Sequence, residues 1–269
     1  MSLIKRNGKV ITTEKMVRIN VFKDTLKILS DGKYVVNNHE VSIKESLDDS
    51  ISKTILYNDE DIKPTIEVCN EKSFTSATRL LKEGKENIVL LNFASGHSVG
   101  GSVIEGANAQ EEDLCRCSGL YDSLKTKTEF YERNSKNKIE YTDDIIYSPN
   151  VPFFKDDNFN LLEKPIHLSV ITSPAPNLMH GFDNEFDLNF LINKRILKIL
   201  RVAMMNNHKT ILLGAWGCGA FQNDPLMIIN AFKESLKLLP FFEHVCFPVF
   251  DTRPGASLYN TFKNNLEIK

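Results

Sequence analysis

The stretch from Leu90 to Leu124, LLNFASGHSVGGSVIEGANAQEEDLCRCSGLYDSL, constrains the fold more than any other part of the chain. The apolar run Ile88-Val89-Leu90-Leu91-Asn92-Phe93 has the length and the boundaries of a buried strand. A loop carrying Gly96, Gly100, Gly101 and Gly106 follows. Leu114, Cys117, Leu120 or Tyr121, and Leu124 then recur at helical spacing, which predicts an amphipathic helix from Ala109 to Leu124, starting near Asn108.

Two features of this stretch point to chemistry. Gly100-Gly101 lets the backbone come close to a ligand and aim N–H groups at an anion. The helix N-terminus beyond it adds positive partial charge, so a phosphate is a natural guest. Glu111 and Glu112 place two carboxylates beside that guest. The combination suits hydrolysis of a glycosidic bond in a phosphorylated sugar. A simpler reading competes: Asn108 as N-cap with Glu111 in the first turn forms a capping box and needs no active site. That reading leaves Glu112 and the glycines unexplained, although a Gly-Gly pair alone is often only a turn.

Composition narrows the classes. A chain of 269 residues with 42% hydrophobic and 25% charged residues has the make-up of a soluble globular protein. A net charge of −2 argues against neutralising many phosphates of duplex nucleic acid, yet backbone amides can still bind a phosphate. No apolar run reaches the length of a membrane span, and MSLIKRNGKV lacks a secretory core, so an intracellular, cytoplasmic protein is expected. The five cysteines, Cys69, Cys115, Cys117, Cys218 and Cys246, read as reduced and mostly buried thiols. Cys115-x-Cys117, with His97 or His180 as candidate partners, has the wrong spacing for a zinc pair.

Residues 13–30 predict a helix whose apolar face holds Val17, Ile19, Val21, Phe22, Leu26 and Leu29. A hairpin follows, Lys33–Val36 and Glu40–Ile43 about a turn at Asn37-Asn38-His39. Residues 44–63 are polar. With too few apolar residues for its own core, 1–60 is expected to be an extension packed on a catalytic core of residues 61–269, a single folding unit. In the core, strands are expected at Thr65–Cys69, Ile88–Phe93, Ile145–Tyr147, Ile166–Thr172, Thr210–Leu213 and Val245–Phe250. Helices are expected at Ser73–Leu81, Ala109–Leu124, Asn184–Met205, Pro225–Leu238 and Pro254–Leu266. Thr126–Asp144 reads as a polar surface excursion, and Val151–Phe154 as an extended or loop segment. This alternation implies a mixed or mainly parallel sheet with helices on both faces.

A second informative stretch is LGAWGCGAFQNDP, Leu213 to Pro225. The strand Ile211-Leu212-Leu213 ends at Gly214, Gly217 and Gly219 flank Cys218, and Asp224-Pro225 starts a helix as cap and first residue. Ligands of open α/β sheets sit outside the carboxyl ends of strands, so two glycine loops there can clamp the two phosphates of a diphosphate. Phe221 can then cover a sugar or base, or simply pack in the core. Cys218 has no base tied to it by sequence and reads as a small buried residue, and Trp216 as core or pocket wall.

These residues resemble a known family. Asn92-Phe-Ala-Ser, Gly100-Gly101-Ser102 and, seven residues on, Gln110-Glu111-Glu112 resemble the signature of microbial-type poly(ADP-ribose) glycohydrolases. Leu114-Cys-Arg, Leu120-Tyr121, Gly214-Ala-Trp-Gly-Cys-Gly-Ala-Phe and Asn223-Asp224-Pro225 continue the likeness over most of the chain. The resemblance implies a macrodomain-like three-layer α/β/α fold with a mixed sheet and an N-terminal helical and hairpin extension. It implies that Glu112 protonates the leaving oxygen of the ribose–ribose bond and then activates water, while Glu111 holds ribose hydroxyls. Gly100, Gly101 and the loop Gly217, Cys218, Gly219 and Ala220 would bind the diphosphate. Ala220 and Phe221 would contact the terminal ribose, with Asn92, Ser102 and Gln110 completing the substrate site. No metal and no cofactor are implied. The implied partner is ADP-ribose or poly(ADP-ribose), free or attached to protein or nucleic acid, with no membrane, no specific nucleic-acid sequence and a monomeric chain. Other readings stay open: a mono-ADP-ribosyl hydrolase, a reader without turnover, or a structural domain without a ligand. The chain departs from the family at Ser102, where a third glycine stands, and at Ser98-Val99, where Asn-Pro is usual. A serine that needs positive φ at 102 would be strained.

Overall fold

Asn37 and Asn38 adopt φ of 49° and 63°, the paired left-handed conformation that closes a two-residue hairpin. In a computed structural model of the protein, residues 3–6, 9–12, 25–45, 48, 64–136, 139–179, 181 and 187–266 are described. The chain divides into two compact units, Met1–Tyr57 and Asn58–Lys269. Among its described residues the first holds two antiparallel hairpins. Strand β1 (Leu3–Arg6) pairs with β2 (Lys9–Thr12), which the sequence did not announce because neither strand alternates apolar and polar residues over its length. Strand β3 (Lys33–Val36) pairs with β4 (His39–Ser42) about the Asn37-Asn38 turn, as expected. Of the helix predicted over 13–30, residues 25–31 are helical and the rest lies outside the described residues.

The second unit is built on a six-stranded sheet in the order β5-β10-β9-β6-β8-β7. These are β5 (Thr65–Cys69), β6 (Ile88–Phe93), β7 (Ile146–Lys155), β8 (Leu161–Ser173), β9 (Thr210–Leu212) and β10 (His244–Pro248). All neighbours run parallel except the β7–β8 pair, so the sheet is mixed. Alternation divides the strands' side chains between two cores. Val89, Leu91, Ile211, Val245 and Phe247 face one cluster, completed by helices α5 (Leu188–Met205), α6 (Pro225–Leu238) and α7 (Ser257–Leu266). Ile88, Leu90, Val170, Leu212 and Cys246 face the other, completed by α1 (Ser73–Lys82), α2 (Gln110–Cys117), α3 (Leu120–Lys125) and α4 (Thr128–Asn134). This is the expected three-layer arrangement.

The differences have physical causes. The helix expected over Ala109–Leu124 is broken into α2 and α3. Ser118 takes an extended conformation, φ −146° and ψ 176°, and bridges to Phe153 of β7. Its hydroxyl donates to Leu114 O at 2.7 Å and accepts from Leu120 N at 3.1 Å, so one serine ends one helix and starts the next. Thr126–Asp144 is not merely surface: α4 buries Phe130, Tyr131 and Asn134. Ile145–Tyr147 and Val151–Phe154 join into the single strand β7, which crosses an irregularity between Ser148 and Val151. In α5 the buried stripe is Leu191, Ile192, Arg195, Ile196, Ile199 and Leu200, whereas Phe190, expected inside, is exposed and Phe186 lies outside the described residues. Among the described residues no helix is long and apolar enough to cross a membrane.

Candidate active site

The carboxyl end of β6 delivers Asn92 to the first turn of α2. Asn92 Nδ2 donates to Glu111 Oε1 at 3.1 Å and to Thr172 Oγ1 at 3.2 Å, and Ser95 N donates to Glu111 Oε2 at 2.7 Å. Ser102 N donates to Glu112 Oε1 at 3.0 Å. Both carboxylates are buried, at 3% and 7% exposure. Burial pushes Glu111 up to about 8; the N–H groups of Ser95 and Asn92 oppose that shift and the neighbouring Glu112 adds to it. The capping box is absent: Ala109 is the N-cap, with no side-chain cap bond, and Glu111 reaches back to β6 and its loop instead. Gln110 also ties α2 to β6, its Oε1 accepting from Phe93 N at 2.9 Å and its Nε2 donating to Leu91 O at 2.8 Å.

The first glycine loop is moulded on these groups. Gly100 and Gly101 have φ of 65° and 62°, and a Cβ on Gly101 would run into the carboxylates of Glu112 and Glu111. Ser102 does not share the positive φ, so the serine in place of a glycine is not strained. The second glycine loop follows β9. Gly217 has φ 76°, and a Cβ there would meet Ala175 Cβ at 2.5 Å and Asn223 Nδ2 at 2.7 Å. Asn223 fastens this loop by donating from Nδ2 to Pro176 O at 2.8 Å and to Gly217 O at 3.0 Å. Trp216 is core, fully buried with Nε1 donating to Ser173 O at 2.9 Å. Burial raises the Cys218 thiol to about 12, which leaves it no thiolate for nucleophilic work. Asp224 caps α6 and Pro225 is its first residue, as the sequence indicates.

A cavity of about 560 Å³ opens at this edge of the sheet. Of the expected site residues, Gln110, Glu111, Glu112, Gly217, Gly219, Ala220 and Phe221 line it together. Asn92, Gly100, Gly101, Ser102 and Cys218 do not line it. Asn92 and Ser102 act on it through the glutamates they bond. Sequence reasoning missed Lys72, Phe93, Asp157 and Phe250, which also form its wall. Lys72 and Phe250 lie just beyond the carboxyl ends of β5 and β10, so extending the strand-end rule to every strand would have found them. Lys72 is held by Asp113 Oδ2 at 2.8 Å.

A mixed α/β sheet whose carboxyl edge carries a cavity, two glycine loops and paired buried carboxylates marks an α/β protein with a ligand site furnished with two acidic groups. Residues 22–156 match the family described as the catalytic domain of microbial-type PARG, poly(ADP-ribose) glycohydrolase. The chain is similar to the crystal structure of poly(ADP-ribose) glycohydrolase from Thermomonospora curvata, at 34% identity over 93% of this chain and 100% of that one, with a TM-score of 0.71. It is similar to the enzyme from Deinococcus radiodurans in complex with ADP-ribose, at 39% identity over 77% of this chain and 85% of that one, with a TM-score of 0.72. The Thermomonospora enzyme bound to the inhibitor ADP-HPD matches at 36% identity over 93% and 99%, with a TM-score of 0.70. Comparison with curated protein sequences gives no significant match. The chain belongs to the microbial-type poly(ADP-ribose) glycohydrolases, a family of glycosidases that hydrolyse poly(ADP-ribose).

Proposed function

We propose that this chain hydrolyses the ribose–ribose O-glycosidic bond of poly(ADP-ribose) and releases ADP-ribose, with Glu112 as the acid and base. The observation that carries this reading is the pair Glu111 and Glu112, both buried and both lining one cavity with Ala220 and Phe221. Glu112 gives its proton to the bridging oxygen as the glycosidic bond breaks. It then takes a proton from the water that attacks the oxocarbenium-like anomeric carbon. Its Oε1 accepts from Ser102 N, which fixes one oxygen and leaves the other for the substrate. Glu111, braced by Asn92 and Ser95, holds ribose hydroxyls. Its raised pKa keeps charge down beside Glu112 and the incoming diphosphate. The Gly217–Phe221 loop grips that diphosphate through backbone N–H groups, while the Gly100–Gly101 turn, which does not line the cavity and whose Gly101 N–H donates to Ser98 O, makes room for the Glu112 carboxylate. Residues 61–269 carry this chemistry, and 1–60 are an extension to it.

Glu112→Gln preserves shape and hydrogen bonding but not proton transfer. Release of ADP-ribose from polymer is expected to fall at least about 100-fold, while the affinity for ADP-ribose in calorimetry stays within a few-fold. Turnover that survives in this variant assigns the chemistry to another group. Parallel incubation with polymer and with a mono-ADP-ribosylated protein fixes the substrate: release from the second alone overturns the assignment to the ribose–ribose bond.

A further inference from the structure

Away from the cavity, on the α1 side of the sheet, β5 and β10 bring together four side chains that the reaction does not use. Glu67 and Cys246 are register partners, Cys69 lies two residues on from Glu67, and His244 two residues before Cys246, so all four share one face. Cys69 Sγ and Cys246 Sγ are 3.6 Å apart, and one donor atom from each of Glu67, Cys69 and Cys246 lies within 4.8 Å of the others. Two thiolates on a tetrahedral zinc ion, with Zn–S of about 2.3 Å, stand about 3.8 Å apart. The observed separation is therefore close to that of two sulfurs sharing an ion, and well beyond a disulfide bond of about 2.05 Å.

His244 is the second pointer. It is 5% exposed, and its Nε2 lies 3.3 Å from Glu67 Oε1 without the alignment of a hydrogen bond. Metal-bound carboxylates are themselves held by hydrogen-bonding partners, and the imidazole stands beside Glu67 where it can serve as one. Charge agrees. A divalent ion offsets two of the three negative charges of two thiolates and Glu67, and Arg79, whose Nη2 is 2.9 Å from Glu67 Oε1, shares its charge among Glu67, Glu71 and Glu83. We propose that Glu67, Cys69 and Cys246 form a binding site for a thiophilic divalent cation such as Zn²⁺, with His244 and Arg79 supporting Glu67. Binding exchanges the two thiol protons for the ion. Three protein donors leave one tetrahedral position for a solvent ligand.

The site lies beneath one wall of the cavity. Val249 N donates to Cys69 O at 2.9 Å, Asn70 Nδ2 donates to Asp251 O at 3.1 Å, and Asp251 N donates to Asn70 Oδ1 at 2.8 Å. These bonds join the two strand ends that lead to Lys72 and Phe250. An ion below them ties the same two ends and stiffens that wall.

The test titrates the reduced full chain with Cd²⁺ and follows the thiolate-to-cadmium charge-transfer absorption in the ultraviolet. The wild type is expected to saturate at one ion per chain. Cys69→Ser is expected to lose the band. Glu67→Gln is expected to weaken binding by about tenfold or more, the scale seen when even a supporting partner is lost. Cys115→Ser and Cys117→Ser are expected to keep the band. Zn²⁺ is expected to displace Cd²⁺ and to raise the melting temperature of the wild type but not of Cys69→Ser. Should Cys69→Ser fail to fold, alkylation of the wild type decides: bound Cd²⁺ is expected to protect Cys69, read by peptide mass. No band, a band unchanged in folded Cys69→Ser, a band lost in Cys115→Ser, or unprotected Cys69 overturns the proposal.

Discussion

The two glycine loops lie at the same edge of one sheet, yet different neighbours confine their glycines. Around Gly101 the confining atoms are the carboxylate oxygens of Glu112 and Glu111, the mobile ends of long side chains. Around Gly217 they are Ala175 Cβ, one bond from the backbone, and Asn223 Nδ2, itself locked by two carbonyls. Beside Gly217, the Cα of Gly219 faces open space in the cavity wall. The difference separates three reasons for a glycine. Gly101 makes room for the Glu112 and Glu111 carboxylates, Gly217 makes room for the fold, and Gly219 keeps its stretch of the cavity wall open.

The comparison is sharpest at Gly101. An alanine there keeps φ of 62° at a cost of about 1–2 kcal/mol and relieves its clash by pushing the Glu112 carboxylate off Ser102 N. Turnover is expected to fall about 10²–10⁴-fold, as though the acid were removed, while the melting temperature drops only about 2–8 °C. A variant that melts low but turns over normally would contradict this. Gly217→Ala is expected to behave in the opposite sense. Neither neighbour can yield, so strain and overpacking together are expected to cost about 2–5 kcal/mol of stability. The folded fraction is expected to keep its kcat, measured per active site at low temperature. Loss of kcat without loss of stability would place Gly217 with Gly101.

Much of this contrast was legible in the sequence, and the illegible part has a pattern. Strand ends, glycines and the adjacent glutamates are local signals, so β5, β6 and α6 and the place of Glu111, Glu112, Gly217, Gly219 and Phe221 in the cavity follow from spacing, with Gln110 and Ala220 added by the family resemblance. What depends on distant partners does not. The break at Ser118 is set by β7, 35 residues away at Phe153, which no helical periodicity reports. Glu111 fits a capping box by position, but its oxygens go to Asn92 and Ser95, which only the folded loop brings near. Arg195 sits in an otherwise apolar helical stripe because Asp143 and the carbonyls of Pro174 and Glu140 surround it.

Glu111 supplies a pH test of the same contrast, since the first loop leans on a carboxyl group and the second does not. Its folded pKa, about 8, is raised above the ordinary 4.5. Its contribution to stability is then fully present below 4.5 and is lost as pH rises toward 8. The unfolding free energy of the wild type minus that of Glu111→Gln is therefore expected to fall across this window and to level off above it. Denaturant titrations at several pH values measure it. A difference that stays flat, or rises, would show that Glu111 is not held neutral by its burial.

The smallest effect is expected at Gly219. With no atom within 4 Å of the place a methyl group would take and no positive φ, Gly219→Ala meets neither clash nor strain. Stability is expected to stay within about 0.5 kcal/mol of the wild type. If this backbone approaches the diphosphate, the methyl group stands where a phosphate oxygen must come, and the affinity for ADP-ribose is expected to fall about tenfold, or about 1.4 kcal/mol. Calorimetry and thermal melting on the same sample read both quantities. Unchanged affinity with unchanged stability would remove Gly219 from the diphosphate grip and leave the loop's constrained glycines, Gly214 and Gly217, to the fold.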